Sequence, residues 1–326
     1  VTTTVVSHRR ARFQNPWVAN AVPAFGSLMK WLLVHRTTRP RPKDPDPSVF
    51  RRAQPAFATP RADPSRLTAT WVGHSTVLLQ LGGLNILTDP MWSARASPVS
   101  FAGPHRWVLP AVSFDALPPI DVVVQSHNHY DHLDDWTVRA LARAHPHAAW
   151  FVPLGLASFV EQRGARAVTE LDWWQSAEHG GVRLTCTPAQ HFSGRTLRDR
   201  GETLWCGWAF AAVGGGGRRV FFAGDTGFHP EFGTIADRCG PFDLALLPIG
   251  AYEPRWFMRY LHMNPEEAVA ACQALRAPAM VPIHWGTFKL TDEAMDEPPV
   301  RARAAWASAG LPEAGFRQLA HGETLS

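Results

Sequence analysis

The chain has 326 residues, 45% of them hydrophobic, enough to bury a full core in one large domain. The net charge is only +4, but the first 66 residues carry twelve Lys and Arg against three Asp, a local +9 that leaves −5 for the remainder. A basic arm on an acidic body argues against a nucleic-acid groove across the body and places any anionic partner at the arm. The four cysteines, Cys186, Cys206, Cys239 and Cys272, are widely spaced with no CxxC pair, so neither a zinc ribbon nor a disulfide framework is expected, and a reducing, cytoplasmic setting fits.

Taken in chain order, residues 17 to 34 are mostly apolar, yet Asn20, Pro23, Gly26 and Lys30 interrupt them, leaving no run long enough to span a bilayer and no clean signal peptide. Phe25, Leu28, Met29, Trp31, Leu32 and Leu33 suit the apolar face of a short helix starting near Ser27, flanked by Arg and Lys. That pattern fits a peripheral contact with an anionic membrane surface, or a helix docked on the protein's own core. Residues 37 to 65, rich in Pro, Arg and Asp, read as an extended linker, so residues 1–66 are expected to form an arm and 67–326 the main domain. From Leu67 the pattern turns to short β-type runs: TATWVG, TVLLQL, NILTDP, DVVVQSH, AWFVP, VRLTCTP, RRVFFAGD, DLALLPIG and AMVPIHW. Helical stretches at 136–145 and 265–275 lie among them, the second opened by Asn264 as cap and a Pro at the first helical position. The expected fold class is layered α/β.

Five of the runs end on an acid or an imidazole: Asp89, His127, His191, Asp225 and His284. Residues at the ends of neighbouring strands can converge on one rim of a sheet. The segment from Ser126 to Asp134 reads SHNHYDHLD, and its His127, His129, Asp131 and His132 form HxHxDH directly after a strand. That spacing lets one tight loop direct two side chains to each of two neighbouring ions, and imidazole and carboxylate suit zinc. His191 can complete a three-His site, Asp225 can bridge, and His284 can complete the second site. The bland alternative, polar residues satisfying loops and caps, suits Asp134 as well as function does.

HxHxDH with the later His, Asp and His resembles the metallo-β-lactamase superfamily, over Leu67 to the C-terminus. A narrower resemblance rests on GHST (73–76), LTDPMWSARASP (87–98), GPHR (103–106), LPPIDVVVQSHNHYDHLD (117–134), ELDWW (170–174), FFAGDTGF (221–228), GPFDLALLPIGAYEPRWFMRY (240–260), NPEEAV (264–269) and IHWGTF (283–288). These are similar to the N-acylphosphatidylethanolamine-hydrolysing phospholipases D, and FQNPW (13–17) is similar to that family's amino-terminal arm. The resemblance implies a four-layer αββα sandwich with two zinc ions, one held by His127, His129 and His191, the other by Asp131, His132 and His284, with Asp225 between them. It implies hydrolysis of N-acylphosphatidylethanolamine to phosphatidic acid and an N-acylethanolamine by attack of activated water on phosphorus. Asp131 and His262 are the residues expected to act in the reaction, His262 as proton donor or as phosphate contact.

Asp89 and His74 are expected to support the ligands rather than bind metal. Trp173, Trp174, Trp256, Phe257 and Met258 are candidates for an acyl-chain groove, with core packing as the alternative. At Ser100 and Phe101 the chain departs from the Gln-Tyr pair of the family's animal enzymes, which bears on head-group preference. The expected partners are a phospholipid, an anionic membrane and a second copy of the chain, with no nucleic acid. Competing readings are another hydrolase on the same centre, such as a lactonase or a different phosphodiesterase, and a non-catalytic lipid-binding protein with structural metal.

Overall fold

In the computed structural model, residues 12–18, 25–38, 41–196, 198–214 and 217–326 are described. The arm contributes α1 (Phe25–Met29), which continues through a π turn (Lys30–His35) into α2 (Arg36–Thr38). The first half of the body supplies β1 (Thr68–Gly73), β2 (Thr76–Leu81), β3 (Leu84–Thr88), β4 (Val122–Val124), β5 (Ala149–Pro153) and β6 (Ala167–Leu171). The second half supplies β7 (Ser176–His179), β8 (Val182–Thr187), β9 (Gly207–Ala212), β10 (Arg219–Phe222), β11 (Leu244–Pro248) and β12 (Met280–Ile283). A last strand, β13 (Thr324–Leu325), returns to pair with β1, so the sheets run β13-β1-β2-β3-β4-β5-β6 and β12-β11-β10-β9-β8-β7. Each sheet begins as an antiparallel meander and ends in parallel strands.

The period-2 alternation of side chains explains why the first sheet must be covered twice. Val77, Leu79, Ile86, Val122, Val124 and Phe151 join Leu184, Trp208, Phe210, Phe221 and Leu246 of the second sheet in one cluster. Their neighbours Leu78, Leu87, Val123, Trp150 and Val152 face the other way, onto Val138 and Leu141 of α3 (Asp135–Ala144) and Val160 of α4 (Ala157–Glu161). Phe232 and Ile235 of α5 (Phe232–Cys239), Val269 and Cys272 of α7 (Pro265–Ala274) and Trp306 of α8 (Glu297–Ser308) pack on the second sheet. The layers are therefore helix, sheet, sheet, helix. Short α6 (Arg255–Met258) lies outside this stack, beside the arm.

The segment read as a linker is extended, but it is fastened along its length. Asp44 pairs with Lys289 at 2.6 Å, Ala53 N donates to His321 O at 2.9 Å, the Ala58 amide is bonded to Gln80, and Arg61 forks onto Asp121. Asn264 and Glu267 close a reciprocal capping box at the start of α7, at 2.8 and 3.0 Å, which fixes the loop immediately before it.

Candidate metal centre

The five acid- or imidazole-tipped runs deliver their side chains to one place, just past the C-terminal ends of β3, β4, β8, β10 and β12. Two of these residues sit in left-handed backbone, Asp89 at φ 34° and His284 at φ 60°, a conformation that non-glycine residues adopt mainly where surrounding structure enforces it. Close approach is also built in: a Cβ on Gly224, just before Asp225, would lie 2.6 Å from Ser126 Cβ.

Proton positions follow from the hydrogen bonds. Asp89, fully buried, accepts from Ser126 N at 2.7 Å and Ser126 Oγ at 2.5 Å, so that hydroxyl has spent its proton and accepts from His127 Nδ1 at 2.8 Å. His132 Nδ1 donates to Asp89 at 2.7 Å, and His191 Nδ1 donates to Leu261 O at 2.8 Å. Each of these rings therefore turns its Nε2 inward. His129 Nδ1 lies 2.9 Å from His127 Nε2 and 3.1 Å from His191 Nε2. Tetrahedral zinc at ordinary Zn–N distances holds its ligand nitrogens about 3.3 Å apart.

The second group is Asp131, His132 and His284. Asp131 Oδ2 is 3.4 Å from both His132 Nε2 and His284 Nε2, and 2.9 Å from His74 Nε2. Asp225 stands between the groups, with Oδ2 3.1 Å from His132 Nε2, 3.8 Å from His191 Nε2 and 4.0 Å from His127 Nε2, and Oδ1 3.2 Å from His284 Nε2. His132 Nε2, His284 Nε2 and Asp225 Oδ1 are buried without a hydrogen-bond partner although carboxylate oxygens or ring nitrogens lie close. Imidazole nitrogens and carboxylate oxygens converging in a buried site without hydrogen-bond partners are what a pair of cations would satisfy, so the donor set fits two zinc ions.

Burial pushes the His129 imidazole down to about 3 and His191 to about 4, and His127 well below its usual range, so these three are neutral and ready to ligate. Burial also opposes charge on His132 and His284, but there the Asp225 and Asp131 carboxylates prevail, raising His132 well above normal and His284 to about 9. The same pairing holds both carboxyls well below their usual range despite burial. Two carboxylates confined together demand positive charge, which protons supply in the protein alone and divalent ions would supply better.

Residues 84–285 match the family model described as the β-lactamase superfamily domain. The chain belongs to the β-lactamase superfamily. Its two packed sheets with flanking helices are the superfamily's metallo-β-lactamase fold, and Igni18, a metallo-hydrolase of Ignicoccus hospitalis, superposes with a TM-score of 0.59 at 25% identity, over 79% of this chain and 97% of that one. Among curated relatives, N-acyl-phosphatidylethanolamine-hydrolyzing phospholipase D 1 of Caenorhabditis elegans is 48% identical over 69% of this chain and 65% of its own length. The mitochondrial enzyme of that name from Saccharomyces cerevisiae is 36% identical over 70% of this chain and 49% of its own. The chain thus spans about two thirds and about half of these two relatives.

Beside the superfamily centre lies a mainly apolar cavity of about 270 Å³. His129, Asp131, Asp225 and His262 reach it from the centre, while Leu28, Trp31, Phe257, Met258, Leu261 and Leu290 form greasy wall, with Phe192, Arg200, Ala251 and Thr291 completing it. His262 Nδ1 points at the centre, 3.9 Å from Asp225 Oδ2 and without a hydrogen-bond partner. A larger trough of about 430 Å³, lined by Arg66, Arg218 and Arg317 among others, contains none of the ligand side chains.

Not all the candidate substrate contacts come to this cavity. Phe257 and Met258 line it, and Trp256 stands exposed beside them with Lys30 Nζ 5.5 Å from its ring centre. Trp173 and Trp174 do not. The turn between β6 and β7 carries their rings onto the main core, where Trp173 Nε1 donates to Trp205 O at 2.7 Å and the Arg238 guanidinium covers Trp174 at 4.4 Å. Ser100 and Phe101 lie on an outer loop, Phe101 81% exposed, and also stay out of the cavity. Asp134 turns away to bond Ser93 and Thr137.

The sequence reading missed Phe192, Arg200, Ala251, Leu290 and Thr291, which come from loops with no periodicity to betray them. Buried Glu293 is a further omission. It accepts from the backbone N–H groups of Ala251, Tyr252 and Glu253 and so sets that part of the wall.

Proposed function

We propose that this protein is a two-zinc phosphodiesterase of phospholipase D type that cleaves N-acylphosphatidylethanolamine, or a closely related phospholipid, into phosphatidic acid and an N-acylethanolamine. The observation that carries this reading is the apolar cavity opening directly onto His129, Asp131, Asp225 and His262. A charged phosphodiester needs cations and its acyl chains need greasy wall, and side chains suited to hold the cations share one cavity with that wall. The relatives named as N-acylphosphatidylethanolamine hydrolases support the choice of lipid.

His127, His129 and His191 would hold one ion and Asp131, His132 and His284 the other, with Asp225 shared. Once bound, the ions would neutralise the phosphodiester and activate water for in-line attack on phosphorus. His262 is held neutral by burial, well below its ordinary range, so it serves as an N–H donor that orients the phosphate rather than as a resting acid. Phe257, Met258 and Trp31 exclude water around the acyl chain.

Peripheral membrane attachment belongs to the same reading. Leu33 and Val34 are 61% and 51% exposed on the arm, on the helix whose Trp31 walls the cavity. Leu32 and Trp256 extend this apolar foot, and Lys30 adds positive charge. No helix among the described residues is long and apolar enough to cross a membrane.

A lipid-class panel in ¹⁸O-water tests the reaction. Heavy oxygen should appear in phosphatidic acid, released together with N-acylethanolamine. Label in the N-acylethanolamine hydroxyl, or free fatty acid as first product, would refute attack at phosphorus.

A further inference from the structure

His191 lies beyond the end of β8, where the sheet no longer supplies partners for its backbone. Both of its peptide groups are nevertheless satisfied by one side chain from the far end of the sequence. Asn15 Nδ2 donates to His191 O at 2.8 Å, and His191 N donates to Asn15 Oδ1 at 3.1 Å. A side-chain amide used this way copies the pairing of a neighbouring strand. Pro16 favours extended backbone at Asn15, which suits that alignment.

The segment around Asn15 is anchored on both sides. Phe13 N donates to Gly201 O at 2.8 Å and Arg12 Nη2 to Arg198 O at 2.7 Å, so the strap crosses the loop that follows His191. Trp17 stacks on the buried ring of His229 at 4.7 Å and 12°, and on Trp173 at 5.9 Å and 16°. His229 stacks in turn on Phe232 of α5. Trp173 thus belongs to the anchorage of the strap.

We propose that Asn15, held in place by the anchors at Arg12, Phe13 and Trp17, is a structural component of the metal centre, the positioning residue that fixes His191. The inference rests on the reading of His191 as a ligand. Loss of either bond frees the His191 peptide to tilt, and the ring bonded to Leu261 O tilts with it. Only the ion assigned to His127, His129 and His191 depends on that ring.

The test uses the zinc-loaded full chain in four forms: wild type, Asn15→Ala, Asn15→Asp and Gln14→Ala, the last at an exposed neighbour. Zinc release to a chromogenic chelator is followed in each, alongside the visible spectrum of the cobalt-substituted forms. Wild type and Gln14→Ala should release both ions slowly. Asn15→Ala should release one equivalent roughly tenfold faster or more, the usual scale for a group that orients a ligand, and retain the other. Asn15→Asp, which keeps an acceptor for His191 N–H but no donor for its carbonyl, should fall between, and only the three-histidine cobalt bands should move. Wild-type release of both ions from Asn15→Ala, or equal acceleration of both, overturns the proposal. A wild-type chain that binds no zinc refutes the metal-centre reading itself and is recognised before any variant is compared.

Discussion

At the scale of single residues, the protein has settled where its protons sit before any ion arrives. Three outward ring nitrogens are tied to Ser126, Leu261 and Asp89, leaving bare Nε2 atoms on His127 and His191, while His132 and His284 carry protons that bound metal would displace. Because metal-free His284 titrates at about 9, above a working pH of 7.5, loading zinc must expel its proton, and that of His132 with it. Calorimetric titration of the metal-free protein at that pH, in buffers of different ionisation enthalpy, should show net release of about two protons per chain, falling as pH rises through 9. Asp225→Asn should cut turnover by at least about a hundredfold and weaken both ions without unfolding the protein, since an amide cannot neutralise two cations. Elemental analysis and circular dichroism check those halves separately. Asp89, His191, Asp225 and His284 were legible because each ends an apolar run. Trp173, Trp174, Ser100 and Phe101 were not placed by the sequence, since spacing does not say to which side a loop turns.

At the scale of elements, the arm helix has one docked face and one exposed face. Trp31 is buried against Phe257 with its Nε1 donating to Asp292 at 2.5 Å, while Leu33 and Val34 face outward. Docking of Trp31 on the protein leaves Leu33 and Val34 exposed for the proposed membrane contact. Leu33→Asp should reduce co-sedimentation with anionic vesicles several-fold while leaving zinc content unchanged, and equal sedimentation would count against the membrane contact. Deleting the first 40 residues would be a poorer test, because it also removes Asn15. The turn bearing His262 is pinned by Arg255, which donates to His262 O at 2.9 Å and forks onto Glu267, itself part of the cap of α7. Arg255→Ala should lower kcat with zinc content intact, as measured by turnover beside metal analysis. The mostly buried strands β1 to β5, β8 and β10 to β12 were readable from apolar runs. Strands β6 and β7 were not, because AVTEL and SAEH are half exposed or edge segments, and GWAFAA of β9 is too rich in Gly and Ala to signal a strand.

At the scale of the whole molecule, the centre joins the two sheets: β3 and β4 bring Asp89 and the HxHxDH loop from one, and β8, β10 and β12 bring His191, Asp225 and His284 from the other. Ions binding only the folded chain at a thousandfold excess over their dissociation constant add about 4 kcal/mol, so exhaustive chelation should lower Tm by roughly 10 °C, reversed by zinc. Scanning calorimetry of treated and reloaded protein measures it, and an unchanged Tm would mean that metal does not stabilise the joint. The layered α/β class was legible in the short apolar runs and the αββα order in the family resemblance, whereas the fastening of residues 44 to 61 across the body was not, because a Pro- and Arg-rich composition describes stiffness and not destination. The spread of the donors along the polypeptide also sets an order of events during synthesis. The HxHxDH loop leaves the ribosome more than a hundred residues before His284 does. β13, which seals the edge of the first strand, comes later still. A growing chain therefore passes through a long interval in which its first candidate ligands have emerged and the last, His284, has not.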